Sequence, residues 1–250
     1  MSHSSNLKVL RRENNFLIIN PSTGKWDVCL FPKIKEVVYK LKKSSTISSC
    51  ERKGLICVIH LTNRCNLECK YCYADVGEKR ENVLSNDKIK KIFDILDSSS
   101  YEFILVEFHG GEPLLCWEKI KDVVPRYYKK RIFTFGIQTN GTLLTQKIID
   151  FIKIYSIRIG ISIDGPQRIH DRNRCYHNDN GSFQDVMRGI FLLQQNKVPF
   201  TTISVVEKPN ECIEIFNFFV NNRIEKIKLN PLFFKGRMVK KNIISHNIDC

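Results

Sequence analysis

Proline and glycine are scarce in this 250-residue sequence, with 8 and 12 copies. That is too little of either for a collagen-like repeat or a flexible linker protein. Long apolar runs are missing too. Runs such as Leu55–Ile59 and Phe103–Val106 fall far short of the ~18–20 residues that span a bilayer. Met1 to Asn6 is polar and lacks the apolar centre of a secretory signal, so the chain is expected in the cytosol. Acidic residues are outnumbered 26 to 40 by basic ones, giving a formal charge of +14. The densest basic cluster is Lys40, Lys42 and Lys43, and no block of five or six like charges occurs. The charge therefore reads as solvated lysine-rich faces rather than a surface for nucleic acid or an acidic peptide. No groove-reading motif appears either. With 42% hydrophobic and 26% charged residues, the chain is not a disordered one.

What the sequence does have is ten cysteines. In a short secreted chain these would suggest disulfides. In a long chain without an export signal, three cysteines within eight positions point to a metal or iron–sulfur centre.

The organisation is a preface followed by a repeated unit. In residues 1–53, Phe16-Leu-Ile-Ile19 and Val28-Cys-Leu30 read as strands joined by a turn at Asn20-Pro-Ser-Thr-Gly24. Ile34 to Leu41 has helical spacing, and Lys42 to Arg52 reads as a linker. Residues 54–250 repeat strand, loop and helix. Strands are expected at 55–62, 103–109, 132–139, 157–164, 199–206 and 226–232. Helices are expected at about 85–97, 116–130, 145–155, 183–196 and 212–222, with N-terminal cues at Ser85, Thr145 and Asn210-Glu211. Alternation of this kind predicts an α/β fold with a parallel sheet, a partial (β/α)6 TIM-like barrel behind a small β-hairpin and helix.

Period-2 alternation sorts the strand faces. Ile157, Ile159, Ile161 and Ile163 form an apolar row for the helix layer. The opposite rows carry His60, Glu107, His109, Gln138, Asn140, Ser162 and Asp164. A lone polar residue of this kind would be a satisfied core group; seven across four strands describe a wet reaction chamber.

Directly after the first barrel strand comes Cys65-Asn-Leu-Glu-Cys-Lys-Tyr-Cys72, a C-x3-C-x2-C spacing. Loops after the strands form the functional end of a parallel barrel. Three thiolates can hold three irons of a four-iron cluster and leave the fourth iron open. Zinc is the alternative, but a structural zinc needs a fourth Cys or His, and His60 is poorly spaced for that.

The same loop resembles the radical S-adenosylmethionine (SAM) superfamily. The resemblance continues through His109-Gly-Gly-Glu-Pro113, Gln138-Thr-Asn-Gly141, Ser162-Ile-Asp-Gly-Pro166 and His170-Asp-Arg-Asn-Arg174, over about residues 55–235. The last two segments are similar to the peptide- and protein-maturing branch, which includes anaerobic sulfatase-maturing enzymes and SPASM-type maturases. The resemblance implies that Cys65, Cys69 and Cys72 ligate one 4Fe-4S cluster. It implies that SAM is bound by Tyr71 at the adenine, by Gly110, Gly111 and Glu112 at the methionine amine, by Ser162 at the ribose and by Arg174 at the carboxylate. Asp164 would shape the ribose pocket, Asn140 counts among the cofactor-binding positions, and a backbone contact to adenine is expected near Pro231–Phe233. It further implies a peptide or protein substrate, possibly carrying a leader, and an electron donor such as ferredoxin or flavodoxin.

That branch normally continues into a cysteine-rich domain. Here Cys29, Cys50, Cys57, Cys116, Cys175, Cys212 and Cys250 repeat no ligand spacing. The expectation is a core without the C-terminal auxiliary-cluster domain, and the seven are read as ordinary thiols. Residues 1–53 are expected to dock a leader peptide or to cover the barrel. The expected activity is ribosomal peptide maturation; the alternatives are sulfatase maturation and a truncated, non-catalytic cluster-binding remnant.

Overall fold

The computed structural model describes residues 8–12, 15–20, 25–30, 54–77, 82–130, 132–233 and 235–240. The chain divides into two compact units, Met1–Glu51 and Arg52–Cys250. The first contains a three-stranded antiparallel sheet of β1 (Lys8–Arg12), β2 (Asn15–Asn20) and β3 (Lys25–Leu30), in that order. Strands β2 and β3 pair from Asn20 opposite Lys25 to Asn15 opposite Leu30. Strand β1 was not expected, because Lys8-Val-Leu-Arg-Arg12 carries only two apolar residues. The turn centre at 21–24, the helix expected at 34–41 and the linker at 42–52 lie outside the described residues.

The second unit is a six-stranded parallel sheet whose spatial order follows the sequence. Its strands are β4 (Gly54–Thr62), β5 (Phe103–Gly110), β6 (Phe133–Thr139), β7 (Arg158–Ser162), β8 (Phe200–Val206) and β9 (Ile227–Pro231). The sheet does not close: β4 and β9 are its edges. Helices α1 (Asn86–Asp97), α2 (Trp117–Tyr128), α3 (Gln146–Ile154), α4 (Gln167–Asn173), α5 (Phe183–Gln195), α6 (Cys212–Asn221) and the short α7 (Arg237–Lys240) complete it. None is long and apolar enough to cross a membrane.

The alternation read from the strands is the alternation observed. Ile104, Val106 and Phe108 of β5, Phe133, Phe135 and Ile137 of β6, and Ile159 and Ile161 of β7 are all buried in one core with helix residues such as Phe93, Ile149 and Phe219. Ser85 caps α1 by accepting from the Lys88 N–H, and Thr145 caps α3 by accepting from Ile148. Glu211 differs: a 3-10 turn, Pro209–Glu211, precedes α6, and the Glu211 carboxylate binds Arg172 instead of capping the helix. Helix α4 is not among the expected helices. It is one short helix with an inward face of only Ile169 and His170, too little for a periodic signal.

Candidate functional site

Strand β4 ends at Thr62, and the three-cysteine loop begins there. The exit of β5 runs beside it. Gly111 N–H donates to the Thr62 carbonyl at 2.7 Å, and Glu112 N–H to the Arg64 carbonyl at 2.9 Å. A side chain on Gly110 (φ +129°) would overlap the Thr62 carbonyl, and one on Gly111 would overlap that of Arg64. The expectation gave these glycines to a ligand; the structure also requires them for this strand-to-loop approach. Gly111→Ala should cost about 1–3 kcal/mol, the usual penalty for overpacking, measured as a fall in melting temperature. An unchanged melting point would show that the approach is not tight.

The loop itself is pinned from several sides. Glu68 N–H donates to Cys175 O at 2.7 Å and Lys70 N–H to Asn173 O at 2.9 Å. Leu67 N–H points at Cys65 Sγ at 3.4 Å, and the Asn140 side-chain amide lies 4.0 Å from the same sulfur. Asn140 is held in turn by Asn66, which accepts from Nδ2 at 2.9 Å, and by Thr142, which donates to Oδ1. Cys65 is buried, while Cys69 and Cys72 are half-buried, and all three are free thiols. Burial pushes the Cys65 thiol up to about 12 and the Cys69 thiol to about 11, with Arg174 pulling the latter down.

These cysteines line one cavity of about 710 Å³, together with Tyr71, Gly110, Gly111, Asn140, Ser162 and Arg174. The lining also includes Ile203, Val205 and Pro231 to Phe233. The volume falls within the ~300–1,000 Å³ usual for cofactor sites. The cavity sits past the C-terminal strand ends, where parallel α/β folds bind ligands.

Two of the expected residues do not line it. Asp164 is 1% exposed and acts as a hub. Its carboxylate accepts from Tyr71 OH and from Val205 N–H at 2.9 Å, and it pairs with Arg174 Nε at 3.1 Å. The Arg174 guanidinium also lies 5.3 Å from the Tyr71 ring centre. Burial alone would lower the arginine's pKa, but Asp164 and its neighbours raise it, so it stays charged. Glu112 is wholly buried and is spent on the protein. It accepts from Leu114 N–H at 3.0 Å, Thr139 OH at 2.7 Å and Asn140 N–H at 2.8 Å. Burial pushes its carboxyl up to about 7 despite those bonds. The expectation aimed this carboxylate at a ligand amine; the geometry makes it the brace between the β5 and β6 exits.

The chamber reading holds for part of its seven residues. His109, Gln138, Asn140 and Ser162 reach the cavity. Gln138 donates to Ser162 Oγ at 3.1 Å. His60 stacks on His109 at 5.3 Å.

Sequence reasoning missed three contributors. Asn66, to which the motif gives no role of its own, donates to Thr142 Oγ1 at 2.9 Å and accepts from the Asn140 amide at 2.9 Å. His170 is buried; its Nδ1 accepts from Asp164 N–H at 3.3 Å and its Nε2 meets Ser182 Oγ at 3.0 Å. Arg237, one of 40 basic residues, is 5% exposed and holds the cysteine loop from behind. It carried no sequence signal.

His170 supplies a pH test. Burial, with Arg174 adding to it, pushes the imidazole down to about 4 from its usual 6.5. The neutral ring therefore stabilises the fold above pH 6.5, and this contribution, about 3 kcal/mol, is lost as pH falls from 6.5 towards 4. The stability gap between wild type and His170→Gln should shrink over that window in denaturant titrations. A gap that stays constant with pH would refute it.

The donor set suits an iron–sulfur cluster. Three free thiols from one loop face a common cavity, and a backbone N–H and a side-chain amide are aimed at one sulfur. Among the described residues no three His, Cys, Asp or Glu side chains gather closely enough to share a single ion. A polynuclear cluster, in which each thiolate takes its own iron, fits that spread better than one zinc.

The model of the Radical SAM superfamily matches residues 59–219. A serine-type anaerobic sulfatase-maturating enzyme of Bacteroides thetaiotaomicron is 33% identical over 194 residues, covering 73% of this chain and 45% of that protein. The radical SAM cyclopropyl synthase TigE of Paramaledivibacter caminithermalis is 28% identical, covering 79% and 47%. The chain thus spans about half the length of these curated relatives. A solved structure described as native anSMEcpe with bound AdoMet and Kp18Cys peptide shares the fold, with a TM-score of 0.65 at 24% identity over 72% of this chain and 52% of that one.

Proposed function

The chain belongs to the radical SAM superfamily, and from that premise we propose that it uses one 4Fe-4S cluster and SAM to abstract a hydrogen atom from a peptide or protein substrate. The observation that carries this reading is the shared cavity: three free thiols on one wall, with Ser162 and Arg174 among the other lining residues. Bound together, cluster and SAM supply a one-electron cleavage to methionine and a 5′-deoxyadenosyl radical.

The chain's own residues bind, orient and exclude water. Cys65, Cys69 and Cys72 would ligate three irons. The Leu67 N–H and the Asn140 amide would orient the Cys65 sulfur and tune the cluster's potential. Arg174 engages Asp164 through Nε, and its planar fork suits the methionine carboxylate through the remaining donors. Ser162 Oγ accepts from Gln138, so its own proton is available to a ribose hydroxyl. Tyr71 would flank the adenine. The methionine amine would meet Gly110 and Gly111, with Glu112 behind them as their brace.

The substrate class rests on the Ser162–Pro166 and His170–Arg174 segments and on the relatives' names. The 33% identity to a serine-type sulfatase-maturating enzyme favours sulfatase maturation as the second reading beside ribosomal peptide maturation. We assign residues 54–250 to the radical core and residues 1–53 to leader docking or barrel cover. Among the described residues, β1 and β3 are the outer strands of that small sheet, the positions at which strand addition would occur. A cytoplasmic ferredoxin or flavodoxin would supply the electron. The substrate test uses peptides deuterated at one residue, either from genes beside this one or of sulfatase type with a central Ser or Cys. Deuterium recovered in 5′-deoxyadenosine is expected from one set. Turnover without transfer from any peptide would oppose a peptide substrate.

A further inference from the structure

We propose that Arg237 is a positioning residue that holds the three-cysteine loop in its ligating shape before any metal binds; the inference rests on the cluster assignment above only for its second readout. The side chain is 6% exposed and spends its fork on the loop. Nη1 donates to the Cys69 carbonyl at 2.7 Å, Nη2 to the Val76 carbonyl, and Nε to Asp75 Oδ1 at 3.3 Å. Its backbone N–H donates to the Cys72 carbonyl at 3.0 Å. The carbonyls of two of the three cysteines are therefore fixed by one residue. Gly236 makes the approach possible: its φ is +63°, and a Cβ there would overlap the carbonyls of Cys72 and Tyr73.

The position of this contact matters as much as its strength. Arg237 follows β9 by six residues; Pro231 at the end of β9 and Leu232, Phe233 and Lys235 after it line the cavity. The arginine thus closes a ring: cysteine loop, cavity, β9 exit, and back to the cysteine loop. A lysine could reach one carbonyl as a point charge, whereas the planar fork reaches several acceptors at once. Metal sites whose ligands are held by such outer contacts typically lose about 10–100-fold in affinity when the contact is removed.

The experiment uses the full chain with Arg237→Gln and Arg237→Lys. The first readout is amide hydrogen exchange of the metal-free protein over residues 63–77. Arg237→Gln should speed exchange in that segment and leave the core strands β5 and β6 unchanged, with Arg237→Lys in between. The second readout is iron release from the reconstituted protein to a chelator, expected about 10–100-fold faster in Arg237→Gln and partly restored in Arg237→Lys. Native exchange over residues 63–77 in Arg237→Gln overturns the proposal. So does faster exchange of the whole chain in both variants, which would make Arg237 a general stabiliser. A wild-type chain that takes up no iron would sink the cluster assignment instead, and the exchange experiment would still decide the role of Arg237.

Discussion

Alanine at Cys65, Cys69 or Cys72 reduces bound iron in the reconstituted chain from about four per molecule to near background. The three thiols face one cavity, and no other described cysteine lines it. Losing one of three protein ligands leaves two irons of the cluster without a protein thiolate. Cys57→Ala and Cys212→Ala should keep the full iron content, because those half-buried thiols lie away from the cavity. Iron content and the charge-transfer absorption of the cluster check this together. Retention of four irons in Cys65→Ala would mean that the ligands have been misassigned.

Asp164→Ala produces the largest expected loss of stability. It leaves Arg174, itself buried, as an uncompensated charge, and it strips the acceptor from Tyr71 OH and Val205 N–H. Removing one partner of a buried pair costs about 3–5 kcal/mol, and in a chain of this size that lowers the melting temperature by about 6–20 °C. The double variant Asp164→Ala/Arg174→Met carries no orphaned charge. It should therefore be more stable than Asp164→Ala alone, while binding SAM more weakly than the wild-type chain because the proposed carboxylate partner Arg174 is gone. Costs that simply add in the double variant would show that the two residues do not act as a pair.

The parts of this molecule that sequence made legible are those whose chemistry is local. The spacing that brings Cys65, Cys69 and Cys72 to one cavity is a short-range feature, and so is the strict alternation from Ile157 to Ile163. Capping by Ser85 and Thr145 involves residues only three positions away. What stayed hidden depends on distant partners. Arg237 binds a carbonyl 168 positions earlier, and nothing in its neighbours announces that. Glu112 resembles a ligand contact by motif, yet its bonds go to Leu114, Thr139 and Asn140, which the chain brings together only when β5 and β6 pair. Asp164 reads as one polar residue of an inward row, whereas its role as a hub needs three elements folded around it. The glycine pair reads in one dimension as a tight turn or a ligand contact, and the close packing of one strand exit on the next becomes visible only in the fold. Helix α4 and strand β1 are too short to carry a periodic signal.

The most direct test of the central claim is anaerobic reconstitution of the full chain with iron and sulfide. Dithionite and SAM follow, with methionine and 5′-deoxyadenosine read by mass spectrometry. The account predicts both products in equal amounts from the wild-type chain and neither from Cys65→Ala. A chain that holds four irons and SAM but yields no 5′-deoxyadenosine would contradict the claim that this cavity performs radical chemistry.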